Sequence, residues 1–535
     1  MIRNPKNYVI VIIPIICGMV AVFLGKDVNW DLKNYHYYNA YAFWENRMDF
    51  DMAPAQLQTF INPLGDLPFY WMTKYFPAWV SGFILGILHG FNLSLLLLIF
   101  WKTFKHSNTL IKLLLGISIV VVSGIAPGFI SELGSTINDN LTSLFVLGAI
   151  YTLITTFGME NEKHTSLFRV GFAGLIMGMG VGIKPSITIF AISSAFVFSA
   201  LQTLWKEKFV SLSIYGFMVV IGGMTSAGFW WWKLWVRFGN PFFPFYNHIF
   251  KSSYFTTAPV NWSFFKPEHL WEYLAWPFIF SQDSLRVNQL QFSDIRFALL
   301  YVVVIAWLLV YMARKFYWSD QMNINDGNNH SFDIKSGNFI LLFFLLSYIL
   351  WIRESATYRF MIPLELLVPL CFLIILERFV RSGKLRAIIA VGAVCLTFLF
   401  FKAFDWGRLD WGNSYISVDA THLNDSGNPV VIMLGWAPMS YVIPQFPVNY
   451  RFVRPEGNLF GGGGHKFRSN DFFVDIKNLL EHYNGNIYIL FDKNENIELR
   501  RSLENLDLNL NIKDCFLLVL NTPDELEFCR LFESE

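Results

Sequence analysis

About eleven apolar runs, most of them roughly 17 to 23 residues long, constrain this chain more than any other feature of its sequence. A helix of that length crosses the hydrocarbon core of a bilayer and satisfies its backbone hydrogen bonds internally. The 535-residue chain is 54% hydrophobic and only 15% charged, a composition outside the range of soluble domains. We therefore predict an α-helical polytopic membrane protein. The predicted transmembrane helices lie at residues 8–24, 79–100, 110–127, 141–157, 167–183, 186–204, 210–230, 297–313, 338–352, 361–377 and 387–404.

The distribution of lysine and arginine predicts how these spans are oriented. Basic residues in short connections stay on the cytoplasmic side of a membrane. If the N-terminus is cytoplasmic, every strongly basic short connection falls on that side, including those that hold Lys102, Lys163 and Arg378. The first run has a basic start but no A-x-A-like cleavage site, so we interpret it as a retained anchor. The opposite side, here called the outer side, then holds residues 25–78, 128–140, 231–296, 353–359 and everything after residue 404.

Charge and cysteine content exclude two classes of site. The net charge is +1, from 41 basic and 40 acidic side chains, and no basic tract stands out, so we expect no nucleic-acid partner. Cys17, Cys371 and Cys395 lie in apolar runs, and no CxxC or Cys/His spacing indicates a zinc site. Cys515 and Cys529 lie in the soluble part, where a disulfide between them is compatible with the sequence but not implied by it.

Residues 25–78, here called the first loop, are the strongest candidate for a functional segment. They set six acidic side chains among tryptophans and tyrosines, at a depth where aromatic rings prefer the membrane boundary. The spacing predicts an interfacial helix from Asp31 to residue 47, with Tyr35 and Tyr38 on the same face as Asp31. Asp31 at the head of this helix then either faces a cavity or caps a solvated amphipathic segment.

Three basic residues lie at outer membrane boundaries, against the usual charge distribution: Lys184, Arg353 and Arg359. Cations in such positions need an anion to offset the cost of their charge. Lys184 precedes Pro185 at a break between two spans, where its ammonium either reaches a cavity or snorkels to the interface. Glu365 lies inside a span and also needs a partner, for which Lys184 is one candidate.

Two glycine-rich runs do not have the pattern of nucleotide-binding loops. Gly174, Gly178 and Gly182 repeat every fourth residue in a membrane segment, and the GK[ST] ending of a phosphate loop is absent. Close helix packing explains this spacing better. The run GGGGHK, residues 461–466, follows no strand in the required pattern, so we predict a flexible loop there.

The composition changes after Phe404, where apolar runs shorten and charge rises. We predict a membrane domain at residues 1–404 and a small soluble α/β domain at residues 405–535, on the outer side. Its predicted strands are NPVVIML, NIYILF and CFLLVL, and its predicted helices are NDFFVDIKNLLEHY and residues 496–505. This domain either covers a cavity and selects an acceptor or is a solubilising cap.

Three short motifs on the predicted outer side resemble those of the GT-C superfamily of polytopic glycosyltransferases, which take sugars from polyprenyl-phosphate carriers. The run DLKNYH at residues 31–36 resembles the D-x-x-x-Y-H motif in the first loop of bacterial members. Glu132 and Asp139 resemble a second acidic site at the next outer turn, and YRFMIP at residues 358–363 is similar to an R-Y-x-x-P segment. The resemblance covers residues 1–404 and is to the bacterial aminoarabinose- and mannosyltransferase-like members.

The resemblance implies a hexosyl- or pentosyltransferase of the bacterial inner membrane, acting on a glycan, lipid or protein hydroxyl at the outer face. A phosphate leaving group departs as an anion and needs no proton, so one base and one cationic clamp suffice, with inversion at the anomeric carbon. Asp31 is the candidate base; the family often has two adjacent acids here, and the nearest companion is Asp27. The other implied roles are orientation by His36, phosphate binding by Lys184, Arg353, Arg359 and Tyr35, and binding of Mg or Mn by Asp139 and Glu132.

Each of these roles has a simpler alternative, and so does the function. Asp139 can cap the fourth span, Tyr35 can be a packing residue, and no cofactor is certain. A transporter or flippase of lipid-linked sugars is an alternative function, supported by Glu365 within a span and by the glycine-rich fifth span. A polymerase or ligase that joins lipid-linked glycans is chemically close to a transferase and differs in its donor.

Overall fold

A computed structural model describes most of the chain. The described residues are 5–105, 109–159, 163–258, 263–317, 332–420, 423, 427–455, 457, 471–495 and 511–532. Each predicted apolar run coincides with a helix, although the runs 110–127, 141–157, 186–204 and 387–404 extend three or four residues past the end of theirs. Among the described residues, seven helices are long and apolar enough to cross a membrane, and four shorter apolar helices account for the remaining runs. The prediction of an α-helical polytopic membrane protein with a C-terminal strand-containing region is therefore confirmed.

The helices that correspond to the eleven runs are joined by short helices that lie mostly on the predicted outer side. The former are α1 (Pro5–Leu24), α4 (Ala78–Thr103), α5 (Thr109–Gly124), α7 (Asp139–Ile154), α8 (Lys163–Ile183), α9 (Thr188–Ala200), α10 (Trp205–Phe238), α13 (Arg296–Tyr317), α14 (Ile334–Glu354), α15 (Ile362–Phe379) and α16 (Gly383–Phe400). The latter are α2 (Tyr37–Trp44), α3 (Leu67–Tyr75), α6 (Pro127–Ser131), α11 (Asn247–Phe250) and α12 (Leu270–Gln282).

Small residues let α8 and α10 approach closely. A Cβ atom on Gly178 would lie 2.1 Å from the carbonyl oxygen of Val219, and one on Gly222 would lie 2.2 Å from that of Leu175. No side chain fits at these distances, so the helices pack backbone to backbone. The close packing predicted from the glycine spacing is confirmed.

The first loop differs locally from its prediction. Instead of one interfacial α-helix, residues Leu32–His36 form a π-helix, and α2 follows it. The extra residue in the wider π turn changes which side chains share a face, and such turns are frequent at functional sites. The predicted long loop at 231–296 is also shorter than expected, because α10 continues to Phe238.

The C-terminal region, residues 405–535, carries a five-stranded sheet. Its order is β5 (Arg451–Val453), β4 (Val430–Met433), β6 (Ile487–Asp492), β9 (Leu526–Phe532) and β7 (Asn511–Leu517), with β4 parallel to β5 and β6. Two-residue strands β3 (Val418–Asp419) and β8 (Val519–Leu520) pair separately. A helix, α17 (Asp471–Glu481), matches the predicted NDFFVDIKNLLEHY, whereas residues 496–505 and the GGGGHK run lie outside the described residues.

The first loop is bound tightly to this C-terminal sheet. Strand β1 (Lys26–Asp27) pairs with β2 (Arg408–Leu409), and Met52 forms a parallel bridge with Val453 at the β5 edge. Arg47 pairs with Asp51 at 2.9 Å and also donates to the carbonyl oxygens of residues 448 and 450. The loop therefore has a fixed shape, imposed by chain segments about 400 residues away.

Candidate functional site

Asp31 and Arg359, 328 residues apart in sequence, form an ion pair at the centre of the candidate site. Arg359 Nη1 donates to Asp31 Oδ2 at 2.9 Å, and the two side chains keep 24% and 16% of their exposure. Burial by itself raises the pKa of Asp31, but the charges of Arg359, then of His36 and Lys184, outweigh it and hold that pKa below its ordinary value. Asp31 is therefore an ionised carboxylate with partial access to solvent.

The backbone before Asp31 is fixed by Asp27. Asp27 is completely buried, and its carboxylate accepts from the backbone and side chain of Asn29 and from the backbone and side chain of Thr136. Asn29 in turn accepts from the Leu32 N–H at 2.8 Å, at the start of the π-helix. Both Asp27 oxygens are thus occupied by donors of the protein itself. Asp27 joins the first loop to the turn at 128–140, and Asp31 is the carboxylate left free for chemistry.

Arg359 is positioned by a buried ionic network at the start of α15. The hydroxyl of its neighbour Tyr358 lies 2.7 Å from both Asp294 and Glu365. Arg296 donates to the same two carboxylates, at 2.7 Å and 3.0 Å. The network sets one guanidinium and one hydroxyl against two carboxylates, and each carboxylate lies within hydrogen-bond distance of both groups. The network holds the short 3₁₀ turn Tyr358–Met361 and so sets where Arg359 points.

Glu365 does not pair with Lys184, which sequence reasoning had offered as a candidate partner. Its oxygens accept from Arg296 and from the backbone N–H groups of Gly128 and Phe129, at 3.0 Å and 3.1 Å. These N–H groups are at the first turn of α6, which has no intrahelical acceptor for them. Glu365 therefore joins α15 to α6.

Lys184 instead binds Asp139, with Nζ 2.5 Å from Oδ1. Asp139 is 4% exposed and Lys184 is 20% exposed. Asn138, not Asp139, is the N-cap residue of α7, and the Asn138 side chain makes no capping bond. The ring of Phe360 lies 5.2 Å from the Lys184 ammonium and 5.3 Å from the Arg359 guanidinium, within cation–π range of both. One aromatic ring thus contacts both cations of the site.

Glu132 is completely buried, and neither of its carboxylate oxygens has a hydrogen-bond partner among the described residues. Burial raises its pKa well above the ordinary value, and the nearby Asp139 carboxylate raises it further, against the opposing charges of Lys184 and Arg359. A buried acid without donors is costly as an anion. The surroundings of Glu132 therefore favour its neutral form.

His36 binds neither Asp31 nor another histidine. Its Nδ1 lies 2.7 Å from Asp66 Oδ1, and both side chains are almost completely buried. Asn138 donates to the same Asp66 oxygen at 2.8 Å. His36 Nε2 and Asp66 Oδ2 have no partner among the described residues. Asp66 therefore connects the helix that follows Asp31 with the residue before Asp139.

The two remaining predicted phosphate ligands have different environments. Tyr35 lies in the site: burial raises the pKa of its hydroxyl well above the ordinary value, as do the charges of Asp31, Asp66 and Asp139, while Arg359 opposes them. Arg353 is exposed at the end of α14 and takes part in neither ion pair of the site. The structure thus brings Tyr35, Lys184 and Arg359 together, but not Arg353.

The predicted metal ligands do not form a compact ligand set. Within the described ranges, the one group of three His, Cys, Asp or Glu ligand atoms within 4.8 Å of one another is Cys515, Glu527 and Cys529. Its two cysteines form a disulfide, which removes them as ligands. The free oxygens of Glu132 and Asp139 are chemically suited to Mg or Mn, but no third His, Cys, Asp or Glu among the described residues completes a ligand group with them. Metal binding by Asp139 and Glu132 stays a prediction.

Taken together, the segments that follow α1, α6 and α8, the start of α7 and the turn before α15 bring two cations, two paired carboxylates and the buried acid Glu132 to one place. An incoming phosphate can compete with each carboxylate for its cation. Sequence reasoning missed Asp66, Asn138 and Phe360 as members of this site. Asn138 and Phe360 are next to predicted residues, but no sequence pattern distinguished Asp66 from the other acids of the first loop.

Comparisons with known proteins found a loose likeness to solved structures. No family model and no curated protein matches the chain. The chain is similar in overall arrangement to the crystal structure of ArnT from Cupriavidus metallidurans bound to undecaprenyl phosphate, with 9% identity, a TM-score of 0.47 and 98% of both chains covered. The apo structure of the same protein gives 10% identity and a TM-score of 0.43, over 98% of this chain and 97% of that one. Because both scores are below 0.5, the roles proposed below rest on the geometry of this chain alone.

Proposed function

We propose that this protein is a membrane glycosyltransferase that moves a sugar from a polyprenyl-phosphate carrier to an acceptor hydroxyl at the outer face of the membrane. The observation that carries the proposal is the Asp31–Arg359 pair, a partly exposed carboxylate and guanidinium brought together at the ends of membrane helices. A base and a phosphate clamp side by side are what displacement of a phosphate by a hydroxyl requires.

The cations account for leaving-group departure. As the bond between the anomeric carbon and the phosphate oxygen breaks, its electron pair stays on the phosphate, whose negative charge grows. Arg359 binds such an oxyanion through two parallel hydrogen bonds, and Lys184, which contacts the same Phe360 ring, adds a second positive charge. Because the phosphate departs as an anion, this step needs no proton donor.

Asp31 accounts for activation of the acceptor. In the resting site Arg359 holds the pKa of Asp31 below its ordinary value, which makes the carboxylate a weak base. When the donor phosphate takes hydrogen bonds from Arg359, Asp31 loses part of that stabilisation and becomes more basic. Donor binding thus prepares the base for the acceptor proton, and water or acceptor is not activated before the donor arrives.

The stereochemical outcome follows from this arrangement. The acceptor oxygen forms its bond to the anomeric carbon on the face opposite the departing phosphate, while its proton passes to Asp31. One displacement inverts the anomeric centre. If a divalent cation takes part, the free oxygens of Glu132 and Asp139 are its available protein ligands, and it would neutralise phosphate charge.

The outer-side location has two supports. The basic short connections all fall on one side, as the charge rule requires of the cytoplasmic side. The C-terminal region, on the other side, holds a disulfide between Cys515 and Cys529. Disulfides persist in oxidising compartments, which for a bacterial inner membrane means the outer side.

Purified protein in detergent, with a panel of undecaprenyl-phosphate pentoses and hexoses and a lipid-extract acceptor, tests this function. We expect sugar transfer and release of undecaprenyl phosphate, with no membrane barrier present. A complete lack of transfer, together with translocation of the same lipids in proteoliposomes, would instead identify a transporter. Products longer than one added sugar would identify a polymerase or ligase.

A further inference from the structure

The C-terminal region contacts the helix that carries Asp31 through a second ion pair. Lys33 Nζ lies 2.6 Å from Asp524 Oδ1, and the two side chains are only 14% and 12% exposed. Lys33 stands in the π-helix, two residues after Asp31 and two before Tyr35. A contact at this position acts directly on the turn that presents Asp31.

Asp524 is itself held in place. Its second oxygen accepts from the Tyr441 hydroxyl at 2.6 Å, and that hydroxyl also lies 2.7 Å from Thr522 Oγ1. Tyr441 is completely buried in the core of the C-terminal region. Both oxygens of Asp524 are thus fixed, one by a buried residue of its own region and one by the first loop.

A neighbouring contact attaches the start of the first loop to the same turn. The buried Lys26 ammonium donates to the carbonyl oxygen of Asn521 at 3.0 Å. The Asn521 side chain accepts from the Ser417 N–H and donates to the Ser414 carbonyl, which fixes the turn against β3 and the residues before it. The turn at residues 521–524 therefore holds the segment before Asp31 and the segment after it.

We propose that Asp524 is a positioning residue of the transferase, which fixes the π-helix at Lys33 so that Asp31 meets Arg359 and the acceptor in one geometry. This proposal rests on the proposed function for its kinetic consequence. If Asp524 has this role, the C-terminal region takes part in the reaction and is not only a solubilising cap. Misplacement of a reacting group by about 1 Å is enough to lower a rate by around 10²-fold.

The test compares Asp524→Asn with Glu45→Gln, which removes the charge of another first-loop ion pair. Glu45 pairs with Lys74 at 3.0 Å, but both side chains are about 40% exposed and neither contacts the C-terminal turn. We expect Asp524→Asn to lower kcat about 10-fold, with the donor KM within twofold of wild type. Glu45→Gln keeps the wild-type kcat. The double variant Lys33→Glu, Asp524→Lys, which reverses the pair, recovers part of the lost kcat.

Hydrogen–deuterium exchange of residues 32–44, without substrate, provides a second readout. We expect faster exchange in Asp524→Asn than in wild type and Glu45→Gln, with the same melting temperature for all three. Wild-type kcat and wild-type exchange in Asp524→Asn would overturn the proposal, as would a reversed pair that recovers nothing. Because hydrogen–deuterium exchange is measured without turnover, it tests the Lys33–Asp524 contact even if the wild-type protein transfers no sugar. A lack of sugar transfer would reject the proposed function but not this contact.

Discussion

Replacement of Asp31 by asparagine is the sharpest test of the proposed mechanism. Asparagine has the same shape, and its amide oxygen still accepts from Arg359, so the pocket keeps its geometry. It has no basic oxygen for the acceptor proton. Loss of a general base typically lowers a rate by about 10² to 10⁴-fold, which corresponds to roughly 3 to 5 kcal/mol of transition-state stabilisation.

The stability cost of this change is expected to be much smaller. The Asp31 and Arg359 side chains keep 16% and 24% of their exposure, so water partly solvates the unpaired guanidinium in the variant. Pairs with solvent access contribute up to about 1 kcal/mol. We therefore expect a melting temperature within about 2 to 4 °C of wild type.

The assay is sugar transfer by purified protein in detergent, with kcat and KM measured for donor and acceptor. Asp49→Asn is the matched control, because Asp49 is also in the first loop, pairs with Arg237 at 3.1 Å and is 73% exposed. We expect the control to transfer at the wild-type rate. If Asp31→Asn retains kcat within about twofold of wild type, Asp31 is not the base and the proposed mechanism is wrong.

Three further predictions concern neighbouring residues. Arg359→Lys keeps the positive charge but loses the two parallel hydrogen bonds of the guanidinium. We therefore expect the donor KM to rise about 10-fold, with a smaller change in the acceptor KM. Equal changes in the two KM values would count against phosphate binding by Arg359. Glu132→Gln removes an acid whose pKa is raised by folding. Because the ordinary pKa of glutamate is near 4.5, such a group destabilises the folded protein increasingly as pH rises above that value. The variant should therefore melt higher than wild type at pH 8.5 and equally near pH 4.5, and a lower melting temperature at pH 8.5 would refute the protonated assignment. Asp27→Asn places an amide group opposite N–H donors that face a carboxylate in the wild-type protein. Each N–H left unpaired should lower the free energy of unfolding by about 1 to 3 kcal/mol, which a lower melting temperature would show.

The helical architecture was predictable because hydropathy is a local property. A run of apolar residues long enough to cross a bilayer leaves the backbone no alternative to a helix, and all eleven runs are helical in the structure. The C-terminal strands at residues 430–433 and 487–492 were also found, because their buried apolar runs are short and continuous. The strand at 526–532 was missed, because Glu527 and Arg530 interrupt its apolar residues without giving the strict alternation of a half-buried strand.

The candidate site was predictable in part, since a charge at a membrane boundary is costly and therefore conspicuous. Asp31, Lys184 and Arg359 were identified by that cost and Asp139 by its resemblance to a second acidic site, and the structure gathers all four. Arg353 has the same sequence signal but is exposed, because the end of α14 turns it away from the site. Burial of a given side chain depends on how helices pack, which no local pattern records.

Sequence alone determined which segments are long and apolar enough to cross the membrane and which charges are out of place, and it predicted which side carries the acidic loops. Only the tertiary structure decided the partners: Arg359 for Asp31, Asp139 for Lys184, and Arg296 for Glu365. Hydrophobic length acts within one segment, whereas an ion pair between distant segments depends on the packing of every helix between them. The same packing turned Asp27 into a structural residue and left Asp31, four positions later, accessible for chemistry.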